Sequence, residues 1–190
     1  MAGPLQIGTL VLALGGNLRG RWGDPHQSFA RACRVLEAAG LRIVRSSHLY
    51  QTDPVGGGRQ PSYVNAVVMA TGSIAPGRLL RLLKQIERCA GRKATPPMQA
   101  RPLDIDILDY GGRRLNWPCQ QRERGRLVLP HPLLHRRAFV LVPLMEIAPG
   151  WWHPVLGRRP RAMLARVGPA AAKGVRRLDF RLRACEKAPR

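Results

Sequence analysis

The stretch Arg101-Pro-Leu-Asp104-Ile-Asp106-Ile-Leu-Asp109-Tyr110 alternates apolar and acidic residues with a period of two. That period belongs to a strand, whose successive side chains point to opposite faces. Leu103, Ile105 and Ile107 then take one face and suit a core. Asp104 and Asp106 share the other, about 6–7 Å apart from the strand rise. Upstream, Pro76 suits a first helical position. Leu79, Leu82, Leu83, Ile86 and Ala90 follow as one helical stripe that stops at Gly91. Tyr63 to Thr71, with Val64, Val67 and Val68, reads as another strand. Thr52 to Gln60 holds Pro54 and three consecutive glycines and reads as a loop. Leu41 to Tyr50 reads as one strand. Ser28 to Ala39 spaces Phe29, Ala32, Cys33 and Leu36 as a helix face, with Gly40 as its cap. Gly8 to Leu14 is a buried strand ended by Gly15-Gly16-Asn17.

The order is therefore β-α-β-β-α-β. It predicts an α+β, ferredoxin-like fold: an antiparallel sheet with helices packed on it. Residues 111–132 read as a hairpin or loop pair turning at Gly111-Gly112. Leu134 to Ile147 reads as a helix that Pro143 should kink or shorten. Residues 158–190 carry 11 Arg or Lys against Asp179 and Glu186. A short helix near 160–167 is expected there, with the rest a partly disordered basic tail. The expected division is a catalytic domain over 8–157 and a basic C-terminal helical extension over 158–190.

Composition narrows the class. One hundred and ninety residues suffice for one domain with its own core. No apolar run reaches the ~18 residues of a membrane helix, and no basic residue precedes the first apolar stretch. A soluble, cytoplasmic, monomeric protein is the expectation. The net charge of +21 would attract polyanions. Yet 28 of the 32 basic residues are Arg, and Ala, Gly and Pro are abundant, as GC-rich coding alone would produce. Nucleic acid is thus a possible partner but not the favoured one. Cys33, Cys89, Cys119 and Cys185 lie far apart and suggest neither a disulfide framework nor a metal site.

Two carboxylates on one strand face repel each other, and Asp is a poor strand former. A hard cation between them reverses the sign of that interaction, and one or two carboxylates with phosphate oxygens and water is how Mg²⁺ is usually held. The competing reading is a solvated edge strand. Against it, acidic residues are scarce: Glu87, Asp104, Asp106 and Asp109 are four of only eleven, and Arg88, Arg92, Lys93 and Arg101 surround them. Carboxylates ringed by guanidiniums suggest a metal–polyphosphate site. No P-loop or dinucleotide-binding glycine pattern is present.

With these residues in place, the chain resembles the 6-hydroxymethyl-7,8-dihydropterin pyrophosphokinase family of folate biosynthesis. Leu12-Ala-Leu-Gly-Gly-Asn17, Ser46 to Gly56, Gln60-Pro-Ser-Tyr63-Val-Asn65, Ile86-Glu87 with Gly91-Arg92, Arg101 to Ile107, and Leu129-Pro-His131-Pro with Arg137 to Pro149 follow the family's order. The resemblance implies transfer of diphosphate from ATP to the pterin's hydroxymethyl oxygen, with release of AMP. It implies two Mg²⁺ at Asp104 and Asp106, and catalytic Arg92 and Arg101. The pterin would meet Thr52, Pro54, Val55, Tyr63, Asn65 and Phe139. ATP would meet Glu87, Arg92, Arg101, Ile107, Arg126, His131 and Arg137. Gly16 stands where the family commonly has Ser, a small-for-small exchange, and the loop from Arg92 to Arg101, which would close over ATP, departs from the family's pattern. An alternative is a catalytically impaired relic of the fold that binds nucleotide or RNA.

Overall fold

A computed structural model of the chain describes residues 8–54, 60–93, 99–117 and 126–182. β1 (Thr9–Gly16) is followed by α1 (Pro25–Ala38), β2 (Arg42–Ser46), β3 (His48–Thr52), β4 (Tyr63–Thr71), α2 (Pro76–Cys89) and β5 (Asp104–Tyr110). A short 3₁₀ turn at Leu134–Arg136 leads into α3 (Ala138–Ile147). α4 (Pro160–Val167), α5 (Pro169–Lys173) and β6 (Val175–Arg181) complete the described chain. All strand pairs are antiparallel, and the six-stranded sheet runs β5-β1-β4-β3-β6, with β2 also against β4.

The predicted helices form for the reasons read from the sequence. α1 starts at Pro25, and the Gln27 Oε1 accepts the Asp24 N–H at 2.9 Å, satisfying a donor that the first turn leaves free. It buries Phe29, Ala32, Cys33 and Leu36. α2 starts with Pro76 in its first turn and buries Leu79, Leu83 and Ile86. Both lie on one face of the sheet, against Leu10, Leu12, Leu14, Val68, Ala70, Ile105 and Ile107. The other face carries a second core of Val11, Val67, Met69 and Leu108 under Leu134, Leu141, Leu144 and Met163. Helices therefore cover both faces of the sheet.

Two sequence expectations are corrected. Leu41 to Tyr50 is two strands, not one. At Ser47 the ladder to β4 is broken: the Ser47 Oγ accepts the Val67 N–H at 3.0 Å while the Ser47 N–H donates to Val67 O at 2.9 Å. A hydroxyl replaces a backbone acceptor, and β3 continues along the lower half of β4. The basic extension, over its described part to residue 182, is not a loose tail. β6 pairs with β3, Leu178 packs against the first core, and Leu182 is buried. Its arginines hid a strand whose inward side chains are few. Arg181 also donates from Nε to Ser46 O at 2.9 Å.

Candidate active site

The site forms where the β1 turn, the C-terminal end of α2 and the start of β5 meet. Gly15 is paired with Asn65 on β4 and with Asp104 on β5, so the three stand in one row across the sheet and face the same side. One row along, Ala13 lies between Val67 and Asp106. The small residues on β1 leave the floor between Asn65 and the carboxylates open. A Cβ on Gly15 would already stand 3.3 Å from the Asn65 Oδ1.

The expected core face of β5 is buried at Leu103, Ile105 and Ile107, while Asp104 and Asp106 stay partly open on the other side. Both Asp104 oxygens are engaged: Oδ1 by Arg92, and Oδ2 by the Arg101 guanidinium at 2.9 Å. The Asp106 Oδ2 accepts from Arg137 at 3.3 Å and lies 3.7 Å from the His131 Nε2. Burial pushes the Asp104 carboxyl upward, but Arg92 and Arg101 outweigh it and hold the group below its ordinary range. His131 is pushed down by burial, against the pull of Asp106, and is neutral near pH 7.

Behind this pair sits Glu87, 2% exposed. Its carboxylate accepts from the Ile105 N–H at 2.8 Å, from the Lys84 Nζ at 2.9 and 3.0 Å, and from Arg92 at 2.9 Å. Burial raises its pKa despite those cations. Glu87 is thus surrounded by protein. Its place is to fix Arg92 and the edge of β5 rather than to face a ligand directly.

A cleft of about 930 Å³ opens beside the carboxylates. Arg81, Lys84 and Arg88 line it from α2, and Asp106, Ile107, Arg126 and His131 from the opposite wall. Arg126 also donates to the Asn116 Oδ1 at 2.8 Å. On the sheet side, Asn65 and Thr52 are buried together, with the Asn65 Nδ2 donating to the Thr52 Oγ1 at 2.9 Å. Tyr63 donates to Gln99 O at 3.1 Å. The Arg137 guanidinium lies 5.7 Å from the centre of the half-buried Phe139 ring. Pro54 is half-buried at the end of the described loop; Val55 lies outside the described residues, as do 94–98 of the loop expected to close over ATP.

Sequence reasoning missed three participants. Lys84 reads as a solvated helix position, but it bonds Glu87 and lines the cleft. Gly15 reads as a turn residue. Asn17 reads as the end of a turn, yet its Oδ1 accepts the Arg101 N–H at 2.9 Å and its Nδ2 donates to Pro61 O at 3.0 Å. That one amide ties the carboxylate side of the site to the segment before Asn65. Gly16, read as a small-for-small exchange with the family's Ser, is held closely here: a Cβ there would lie 2.4 Å from Pro102 O.

Two carboxylates on one face are hard oxygen donors, and with phosphate oxygens and water they fit the coordination that Mg²⁺ demands. The set offers no soft ligand. Such a set, on the edge strand of an antiparallel sheet, is of the kind that phosphoryl-transfer sites use to position anions.

The comparisons narrow that class. The model of the 7,8-dihydro-6-hydroxymethylpterin-pyrophosphokinase family matches residues 11–149. The chain belongs to this family. A 2-amino-4-hydroxy-6-hydroxymethyldihydropteridine pyrophosphokinase of Methylorubrum extorquens is 36% identical over 165 residues, covering 86% of this chain and 96% of that protein. The enzyme of the same name from Synechocystis is 37% identical, covering 82% and 74%. A mitochondrial folate synthesis bifunctional protein of Arabidopsis thaliana is 38% identical, but this chain spans only 23% of its length. A crystal structure of Plasmodium falciparum HPPK-DHPS superposes with a TM-score of 0.67 at 16% identity, over 91% of this chain and 48% of that one, which supports the fold alone. The relic alternative finds no support among these relatives. Among the described residues no helix is long and apolar enough to cross a membrane.

Proposed function

We propose that this chain transfers the terminal diphosphate of ATP to the hydroxymethyl oxygen of 6-hydroxymethyl-7,8-dihydropterin. The hydroxymethyl oxygen bonds to the β-phosphorus, the bond from that phosphorus to the bridging oxygen breaks, and AMP leaves carrying that oxygen. The hydroxyl proton passes to solvent. The observation that carries this reading is the Asp104–Asp106 pair, one strand face of carboxylates flanked by Arg92, Arg101 and Arg137 beside a basic cleft.

Asp104 and Asp106 would hold Mg²⁺, two ions in our reading, whose charge offsets that of the triphosphate. Arg92 and Arg101 would turn their forked donors to phosphoryl oxygens as negative charge shifts toward the leaving group. Glu87 keeps Arg92 oriented. Ile107, Arg126, neutral His131 and Arg137 would line the nucleotide. Asn65 offers a donor and an acceptor to the heterocycle edge, beside Thr52, Pro54, Val55 and Tyr63, with Phe139 as the stacking ring. Alignment of the two substrates carries the rate, because the protein forms no covalent bond.

Incubation with ATP, Mg²⁺ and the hydroxymethylpterin should yield AMP and the pterin diphosphate in equal amounts. Release of inorganic phosphate or ADP in place of AMP would refute the reading.

A further inference from the structure

The free protein has already filled the place that a cation would take. Each oxygen of Asp104 already faces a guanidinium, Arg92 on one side and Arg101 on the other. Asp106 leans on Arg137 and His131. Around these two carboxylates and Glu87, the charged side chains in contact among the described residues are Lys84, Arg92, Arg101 and Arg137, one more cation than anions. A divalent ion arriving alone would meet a net positive site and would have to strip two guanidiniums from Asp104 without offering them a new partner. A polyphosphate changes the balance, because its oxygens accept the same forked donors.

We propose that Arg92 and Arg101 are resting occupants of the cation site, and that a divalent ion enters only as a polyphosphate draws them off Asp104. The inference rests on the metal assignment above and adds an exchange to it. The hinge of the exchange is Glu87. One Arg92 nitrogen is shared between Asp104 and the Glu87 Oε2, so when Asp104 lets go the guanidinium stays tethered within reach of the cleft. Arg101 is tethered differently, by its Nε to Gln99 O at 3.0 Å and by its backbone to Asn17. Both arginines can change partner without leaving the site. Coupling of this kind is reciprocal: whatever the nucleotide adds to metal affinity, the metal adds to nucleotide affinity.

The test is Mn²⁺ binding followed by electron paramagnetic resonance, with no turnover involved. The free wild-type protein should bind Mn²⁺ at least about tenfold more weakly than the protein saturated with α,β-methylene-ATP. Arg101→Gln and Arg92→Gln should each tighten Mn²⁺ binding by the nucleotide-free protein by about tenfold while weakening the analogue. Among the described residues the Arg101 side chain bonds Asp104 and Gln99 O and not Glu87, so that variant keeps the buried Glu87 contacts intact. If neither variant gains Mn²⁺ affinity, the exchange is wrong, even where Asp104→Asn abolishes Mn²⁺ binding by the analogue complex. If Asp104→Asn leaves that binding unchanged, the carboxylate assignment falls and the exchange with it.

Discussion

The two ends of β5 carry the same side chain in opposite circumstances. At its start Asp104 faces Arg92 and Arg101, which hold it ionised. At its end, past the register shift that leaves Leu108 out of the ladder with β1, Asp109 is fully buried. Its Oδ2 accepts from the Trp151 indole at 3.2 Å and the Gly112 N–H at 3.3 Å, and its Oδ1 has no partner among the described residues. Burial raises its pKa against those bonds. Trp151 also touches His153, and His153 faces His135; among the described residues the buried His153 Nε2 and His135 Nδ1 have no partner. One end of the strand is saturated with cations and open to a cleft; the other is sealed and underbonded. Residue type does not decide which carboxylate does chemistry. What stands opposite does.

The largest effect should fall at the open end. Asp104→Ala or Asp106→Ala should lower turnover by about 10²–10³-fold, the worth of one charge-stabilising group in such sites, with the melting temperature little changed. Asp109→Asn should leave turnover near wild type. Equal losses at both ends would erase the distinction, and steady-state kinetics with denaturation curves decides it.

The sealed end should dominate the acid limb of stability. Burial and the neighbouring His135 push His153 down to about 4 from 6.5. Between those values the unfolded chain takes up a proton that the folded chain refuses. The stabilisation from a neutral His153 is therefore complete above pH 6.5 and is lost as pH falls toward 4, about 3 kcal/mol in all. Urea denaturation of wild type and His153→Phe across that window should show the slope in the first and a flatter line in the second. A smaller effect is expected at Asp109 itself. Asp109→Ala strands the Trp151 and Gly112 donors and should cost about 1–3 kcal/mol. Asp109→Asn, which keeps an acceptor, should cost less than about 1 kcal/mol at neutral pH. If the two variants unfold alike, the Oδ2 bonds carry no weight.

Much of the open end was legible in the chain itself. Period-two alternation over Leu103 to Ile107 assigned both faces correctly, and the alternation of strands and helices up to β5 followed from stripes such as Leu79, Leu83 and Ile86, save that one expected strand is two. Local periodicity records which face is apolar, so it could do this much. It could not see Ser47, because a hydroxyl that substitutes for a backbone acceptor leaves no mark on hydropathy. Nor could it see β6, whose inward contacts rest on Leu178 amid four charged residues of the same strand. Glu87 stood out in the chain as one of four clustered acids, but its burial against Arg92 and the Ile105 amide depends on how α2 meets β5, which no local pattern records. The sealed cluster joins residues from β5, the 3₁₀ turn and the loop after α3, and no linear spacing announces such a meeting.

The glycine at position 16 lets the turn lie close under the strand that carries the carboxylates. A serine there would press a methylene into the main-chain Pro102 O, at the entrance to β5. That oxygen belongs to the backbone, so no change of residue type at 102 would remove it. An engineer grafting a relative's serine onto this turn would have to reroute the chain before β5, not exchange a side chain.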